Sequence, residues 1–302
     1  MEVFFIIRYI LSLFCLFSNI LVCVAISRNL LLRESPTFRI LSVIFIANIL
    51  DLSKQCAYNY PSDIIGAPVV KPPYDIIFHI IGSATWFAEL YLLICMALSH
   101  YIALYHAPFY FKIRTQQLDR FIIIILIIAV LIGCIHLIIP KSGFDYDKVE
   151  SRWVTNPNTF VMKFRSINNY GTQIVTLITL VATDVFIFMK FCKRKNRVQV
   201  NSFNSNGSNR MTTSITKVQQ PRLGKVSNLR VAANFIILSS CLIIQTIIYN
   251  SITTKELNSL VANILMTIAP LFRYSKCWIY CISGSHLRKA LVNMWPKRLS
   301  LA

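Results

Sequence analysis

The chain has 302 residues, of which 55% are hydrophobic and 14% charged, yet its formal net charge is +19. A soluble domain carries about 25% charged residues, so this composition excludes an ordinary water-soluble enzyme or a nucleic-acid-binding domain. The apolar excess calls for a bilayer, and the positive charge must sit in the segments that leave it.

From the N-terminus, seven apolar stretches have spanning length: Val3–Ile26, Ile40–Tyr58, Ile76–Tyr101, Phe121–Ile139, Gly171–Phe191, Val231–Ser251 and Leu257–Ile282. A helix needs about 20 apolar residues to cross a hydrocarbon core of roughly 30 Å. The expected fold class is therefore an all-α membrane protein. It is a seven-transmembrane helix bundle with a short amphipathic surface helix at the C-terminal end, and residues 1–302 form one domain. The first span does not read as a cleaved signal peptide, because Glu2 is the only charge before Arg8 and no small-residue cleavage site follows. After the seventh span, Gly284 breaks the helix, and Ser285–Trp295 carries Leu287, Ala290, Leu291 and Met294 on one stripe. Such a helix lies on a membrane surface.

Placement of the basic residues sets the orientation. With the N-terminus outside, the inner segments hold 20 Lys and Arg residues and the outer ones 7. The segment Lys190–Arg230 contributes ten of them without a single Asp or Glu. The positive-inside rule then places the N-terminus outside and the C-terminus in the cytoplasm. Within that segment, the Asn- and Ser-rich stretch Asn201–Ser214 reads as a basic loop near anionic lipid or as a docking surface. Its sequon, Asn206-Gly207-Ser208, falls on the cytoplasmic side, away from glycosylation. Of nine cysteines, most fall within spans, which argues for small buried side chains and against a disulfide framework.

Polar residues inside the spans are the candidate functional groups, since ionisable side chains in a bilayer are costly and seek partners. Asn48, Asp51, Gln55 and Tyr58 share one face of the second span, and His79, Ser83, Trp86 and Glu89 one face of the third. Interhelical hydrogen bonding is one role for such groups. Division by depth suggests another. A ligand pocket in the outer half would be lined by His79, Ser83, Trp86, Gln173, Thr176, Gln245, Tyr249 and Asn263. Deeper, an intramembrane charge network would join Asp51 and Glu89 to Arg273 and Lys276, with Asp51 expected to pair with Lys276. The histidines are scattered, with His100 and His106 six apart, and there is no P-loop, G-x-S-x-G or Cys-x-x-Cys. Neither catalysis nor a metal or other cofactor is expected.

Further landmarks lie at the span ends: Ser99-His100-Tyr101 leading into Ala107-Pro108-Phe109-Tyr110, Asn19 in the first span, Asp51 after Ala47, and Lys276-Cys277-Trp278-Ile279-Tyr280 followed by Ser285–Leu291. In this arrangement the chain resembles rhodopsin-like receptors. Ser99-His100 stands where they carry Asp-Arg, and Lys276-Cys277 where they carry Asn-Pro. Leu98–Tyr110, Gly143–Trp153 and Leu177–Lys193 look most like the class X (Srx) group of nematode serpentine chemoreceptors. The resemblance implies a G-protein-coupled receptor for a small-molecule ligand, a heterotrimeric G protein as cytoplasmic partner, contact with membrane lipid and residence in a sensory cilium. The coupling surface it implies comprises His100, Tyr101, Lys193, Arg194, Lys195 and Arg288. Pro270 occupies the position of the retinal-binding lysine and Gly82 that of the amine-binding aspartate, so a retinal pigment or an amine receptor is not expected. A seven-helix ligand-gated channel and a small-solute transporter are the competing readings. Channels of that kind run with the N-terminus inside, against the charge bias found here.

An N-terminal epitope tag should therefore stain on intact cells, and a C-terminal tag only after permeabilisation. The opposite pattern would refute the orientation.

Overall fold

The computed structural model describes residues 2–70, 74–106, 110, 115–134, 144–147, 152–155, 160–204, 236–248 and 259–294. Tyr249, the sequon at Asn206 and the remainder of the Asn- and Ser-rich stretch lie outside these residues, as does Trp295.

Helix α1 runs Glu2–Arg28 and is followed by a single turn, α2, Leu30–Glu34. The Asn29 side chain caps α2 by accepting from the Leu31 and Leu32 amides. Helix α3, Pro36–Lys54, passes through a π-helical turn, Gln55–Asn59, into α4, Tyr60–Ile65. The cause is Pro61, whose missing N–H cannot continue the ladder. The Tyr60 amide instead reaches back to the Gln55 carbonyl, five residues earlier. The second span is thus longer than the predicted Ile40–Tyr58. It ends at Gly66, whose φ of 70° suits a residue without a Cβ.

Helix α5 spans Ile76–Tyr105 and α6 spans Thr115–Gly133. Beyond α6 lie the only strands among the described residues, a hairpin of β1, Phe144–Asp147, and β2, Arg152–Thr155. Its strands are antiparallel, with Phe144 opposite Thr155 and Asp147 opposite Arg152. Helix α7, Phe160–Asn204, overruns the predicted Gly171–Phe191 at both ends. Between Thr172 and Asn206 no Gly or Pro interrupts it. The sixth span contributes α8, Ile236–Ile248. The seventh is α9, Ser259–Tyr274, and α10, Lys276–Ser283, separated at Ser275, with Pro270 inside α9. Gly284 then separates α10 from α11, Ser285–Met294.

Five helical runs are long and apolar enough to cross a membrane: Val3–Arg28, Pro36–Ile65, Ile76–Tyr105, Gln116–Gly133 and Ile167–Lys190. With α8 and the α9–α10 pair they make the seven-helix bundle. At its centre stands α5, packed against α3, α6 and α7, while α1 packs on α3, α9, α10 and α11. The core joins Ile44 and Phe45 of α3, Leu92, Leu93 and Met96 of α5, Leu180 of α7, Leu238 of α8 and Leu287 of α11. Outward faces stay apolar: Ile123, Ile124, Ile127, Ile128 and Leu131 of α6 are all exposed. That is the pattern of a bundle whose solvent is hydrocarbon, where polar groups turn inward. An ion pair at 2.6 Å between Arg39, near the start of α3, and Asp119, near the start of α6, ties these two helix ends together. Partly exposed as it is, it contributes at most about 1 kcal/mol.

The contact between α5 and α6 depends on a missing side chain. A Cβ at Gly133 would lie 3.0 Å from the Ile80 carbonyl oxygen and 3.1 Å from the Ala84 Cβ. At Gly171 of α7 a Cβ would meet nothing within 4 Å. Gly133→Leu should therefore destabilise the purified protein by about 1–3 kcal/mol through overpacking, lowering its Tm, while Gly171→Ala should leave the Tm unchanged or raise it. Equal effects at the two glycines would show that α5 and α6 do not approach this closely.

Candidate functional site

Four ionisable side chains meet where α3, α5 and the seventh span converge. Asp51, Glu89, Arg273 and Lys276 are 2%, 1%, 7% and 1% exposed. Each one is expensive alone in a bilayer, and together they are locally neutral. The Arg273 guanidinium bridges two helices, with one terminal nitrogen 2.7 Å from Asp51 Oδ2 and Nε 2.9 Å from Glu89 Oε2. Lys276 forms its ion pair with the other oxygen of Glu89.

The expected pair Asp51–Lys276 is thus not the one the protein forms. Arg273 and Lys276 are three residues apart and share a helix face, so either could face either acid from spacing alone. The packing of α5 against the seventh span brings Glu89 to Lys276 and leaves Asp51 to Arg273.

Around Asp51 the hydrogen bonding extends outward. The Tyr274 hydroxyl donates to Asp51 Oδ2. Gln55 Nε2 donates to the Tyr274 hydroxyl at 2.6 Å and to Asp51 at 3.2 Å. Tyr60 donates its hydroxyl to Gln55 Oε1 at 2.8 Å, and the Ser12 and Tyr60 hydroxyls lie 2.9 Å apart. One polar chain therefore runs from α1 through the π turn of the second span to the seventh. Next to it, Arg8 of α1 donates to the Thr267 hydroxyl at 3.0 Å and to Asn263 Oδ1 at 2.9 Å. Tyr274, Tyr60 and Arg8 were not among the sequence-derived candidates. A tyrosine is ordinary within or beside an apolar span and carries no signal of its partners, and Arg8, near the start of the first span, shows no partner until α9 is seen beside it.

The structure distributes the expected pocket residues unevenly. Trp86 Nε1 donates to Asn169 Oδ1 at 2.7 Å, and Gln173 Nε2 reaches the same oxygen at 3.1 Å. Asn169, which sequence reasoning missed, is the residue that joins Trp86 to Gln173. His79 lies edge-on to Tyr58, with ring centroids 6.1 Å apart, and 4.0 Å from Asp75. Ser83 is buried, and buried Thr176 turns its hydroxyl onto the Thr172 carbonyl at 2.8 Å. Gln245 is 1% exposed, and its amide has no hydrogen-bond partner among the described residues. Asn263 serves Arg8 on the α1 side.

Trp86 has a second contact that separates it from the others. The Arg273 guanidinium lies over its ring, 4.9 Å from the centroid. A cation over the face of an indole is attracted by the ring quadrupole. The pocket residue and the charge network, assigned to different depths from spacing, are in direct contact.

Toward the C-terminal end of α5, His100 is buried and Tyr101 half-buried. Tyr101 stacks on Tyr105 at 4.9 Å and packs against Phe186 of α7 at 5.5 Å. Tyr105 donates to the Phe186 carbonyl at 2.8 Å, and the Lys190 ammonium lies 4.3 Å from its ring centroid. Lys193, Arg194 and Lys195 lie in the C-terminal part of α7, and Arg288 is exposed on α11. Tyr280, at the end of the Lys276–Tyr280 segment, is buried against Met96 of α5. No group of three or more metal-binding side chains occurs among the described residues.

Residues 9–248 match the family described as serpentine-type 7TM GPCR chemoreceptor Srx. The fold is similar to the crystal structure of squid rhodopsin, with a TM-score of 0.76 at 11% sequence identity, over 99% of this chain and 86% of that one. At this identity the likeness shows the fold. No curated protein matches the sequence.

Loss of Arg273 should be the most damaging change in the charge cluster, because it removes the cation shared by Asp51 and Glu89. Breaking a buried pair costs about 3–5 kcal/mol. Lys276→Met should reduce folded protein at the surface, and Glu89→Gln should restore it where Asp51→Asn does not. Rescue by Asp51→Asn in place of Glu89→Gln would reverse the pairing.

Proposed function

The chain belongs to the serpentine seven-helix chemoreceptor family Srx, and we propose that it binds a small organic ligand in the outer half of its bundle and signals through a heterotrimeric G protein. A multi-pass G-protein-coupled receptor is what the family assigns; ligand and coupling are the present reading. The N-terminus faces outside in this reading, as the basic inner segments require. Residence in a sensory cilium rests on the resemblance alone.

The observation that carries the reading is the double contact of Trp86. On one side it holds Asn169 of α7, and on the other its ring carries the Arg273 cation that clamps Asp51 to Glu89. A ligand that takes the Asn169 bond or tilts the indole removes a stabilising face from Arg273. The clamp across the second, third and seventh spans then weakens. A ligand can shift an equilibrium only by its differential affinity for the two states, and Trp86 is where that difference arises. His79, Ser83, Gln173, Thr176, Gln245, Tyr249 and Asn263 complete the proposed ligand-responsive region.

The signalling end is proposed at His100 and Tyr101 with a basic rim of Lys193, Arg194, Lys195 and Arg288. The aromatic cluster of Tyr101, Tyr105 and Phe186 ties α5 to α7 there, and His100 is buried next to it in sequence. The rim favours an acidic partner and accelerates its encounter.

The test is a ligand screen read by intracellular calcium in cells that carry a promiscuous G protein. With an active compound in hand, Trp86→Ala should shift the half-maximal concentration about thirtyfold or more, in line with an anchoring aromatic worth about 2 kcal/mol or more, at unchanged surface density. Asn169→Leu should act in the same direction. Unchanged dose–response in both variants would refute the Trp86 assignment.

A further inference from the structure

A cleft of about 450 Å³ opens on the outside of the bundle between α5 and α7, and none of the eight expected pocket residues lines it. Its walls are Tyr91 and Ile94 of α5 and Asn168, Gly171, Thr172 and Val175 of α7, with Ile167 at its edge. The volume falls in the ordinary range for small-ligand sites. We propose that this cleft binds an uncharged amphiphile, an apolar body with one hydrogen-bonding head group such as a long-chain alcohol, which enters from the bilayer.

Three independent features support a ligand here. The first is polarity without partners. The Tyr91 hydroxyl, the Asn168 amide and the Thr172 hydroxyl have no hydrogen-bond partner among the described residues, although their neighbours do. Thr176, Thr179 and Thr183 of the same helix each turn the hydroxyl onto the carbonyl four residues earlier. Thr172 does not follow them and lines the cleft instead. Adjacent Asn169 meets Trp86, well within the run of α5, so the level is that of the membrane. Polar groups left facing hydrocarbon without partners are costly, and a ligand head group that donates and accepts would satisfy them.

The second feature is Gly171. Glycine inside a helix is unfavourable relative to alanine, and no close neighbour demands it, since a Cβ would meet nothing within 4 Å. Its absence of a side chain keeps the cleft open. The third is chemistry: no acidic or basic side chain lines the cleft, and Ile167 and Val175 are 70% and 54% exposed. A charged ligand would be desolvated there without a counter-charge, whereas an aliphatic body gains apolar contact. Because Asn168 neighbours Asn169, an occupant sits one residue from the Trp86 contact. The site thus deepens the receptor reading by naming a ligand class and a route, and rests on that reading for its signalling consequence.

The experiment is photolabelling of the full-length protein in nanodiscs, with a diazirine-bearing octanol and the matching diazirine alkane as probes. The octanol should mark peptides containing Tyr91–Ile94 and Asn168–Val175 in preference to the alkane. Gly171→Phe, which fills the cleft, should reduce that labelling about tenfold, while Gly171→Ala should retain it. Asn168→Leu with Thr172→Val should abolish the preference for the alcohol, the loss of hydrogen bonds being worth about tenfold. This pair decides the matter if Gly171→Phe does not fold. Equal labelling by the alkane, as for an acyl-chain seat, would overturn the proposal. So would labelling spread over the exposed faces of α1 and α6, or labelling unaffected by Gly171→Phe. Specific labelling without any ligand-evoked calcium signal would leave the cleft standing and refute the receptor reading, and the converse pattern would do the opposite.

Discussion

The arrangement of this bundle depends on one buried cation. Arg273 reaches from the seventh span to Asp51 of the second and Glu89 of the third, and its face is covered by Trp86. No one of these groups is tolerable alone in a bilayer. Two carboxylates around a single guanidinium would still leave a negative charge, and Lys276 removes it by pairing with Glu89. Local neutrality with excellent geometry is the condition under which buried ions are supportable. The same condition makes the cluster sensitive, because a small rotation of any of three helices lengthens several strong contacts together. A cluster of this kind defines one packing of the helices and gives a ligand a place from which to alter it.

The backbone prepares this meeting. Pro61 forces the π turn at Gln55–Asn59, and the added residue brings Tyr60 round to Gln55 and Ser12. Gln55 passes the hydrogen bonding to Tyr274 and Asp51. The seventh span is interrupted at Ser275, between the two residues that carry its cations. Both irregularities lie beside the charges. Departures from ideal helix are common at functional positions, and here each re-aims a side chain that the network uses.

The two halves of α5 are fastened to α7 by different chemistry. Toward its first half, Trp86 and Gln173 share the amide oxygen of Asn169. At its other end, stacked rings join Tyr101 and Tyr105 to Phe186. Between them Leu92, Leu93 and Met96 of α5 pack in one core with Leu180 of α7. The open cleft lies beside the first contact, at the level of Gly171. In a membrane, where hydrocarbon competes equally for apolar surfaces, the seam between two such helices is held by its polar and stacked contacts.

Hydropathy and charge placement by themselves determined the number of spans, the all-helical class and the surface helix after Gly284, because a bilayer demands about 20 apolar residues per crossing whatever the neighbours are. They also singled out Asp51, Glu89, Arg273 and Lys276, since charges within apolar runs stand out. Helical spacing selected Trp86 and Gln173 as inward-facing polar groups. Which acid meets which cation was decided only by the tertiary structure, because Arg273 and Lys276 share one face and the choice depends on how α3 and α5 are rotated against the seventh span. The contact of Trp86 with Arg273 was hidden for a related reason: depth read along separate helices ignores the reach of a long side chain between them. Asn169, Tyr60 and Tyr274 carry no distinguishing pattern in one dimension. Their roles arise from the π turn, the break at Ser275 and the approach of α7 to α5, which are properties of packing.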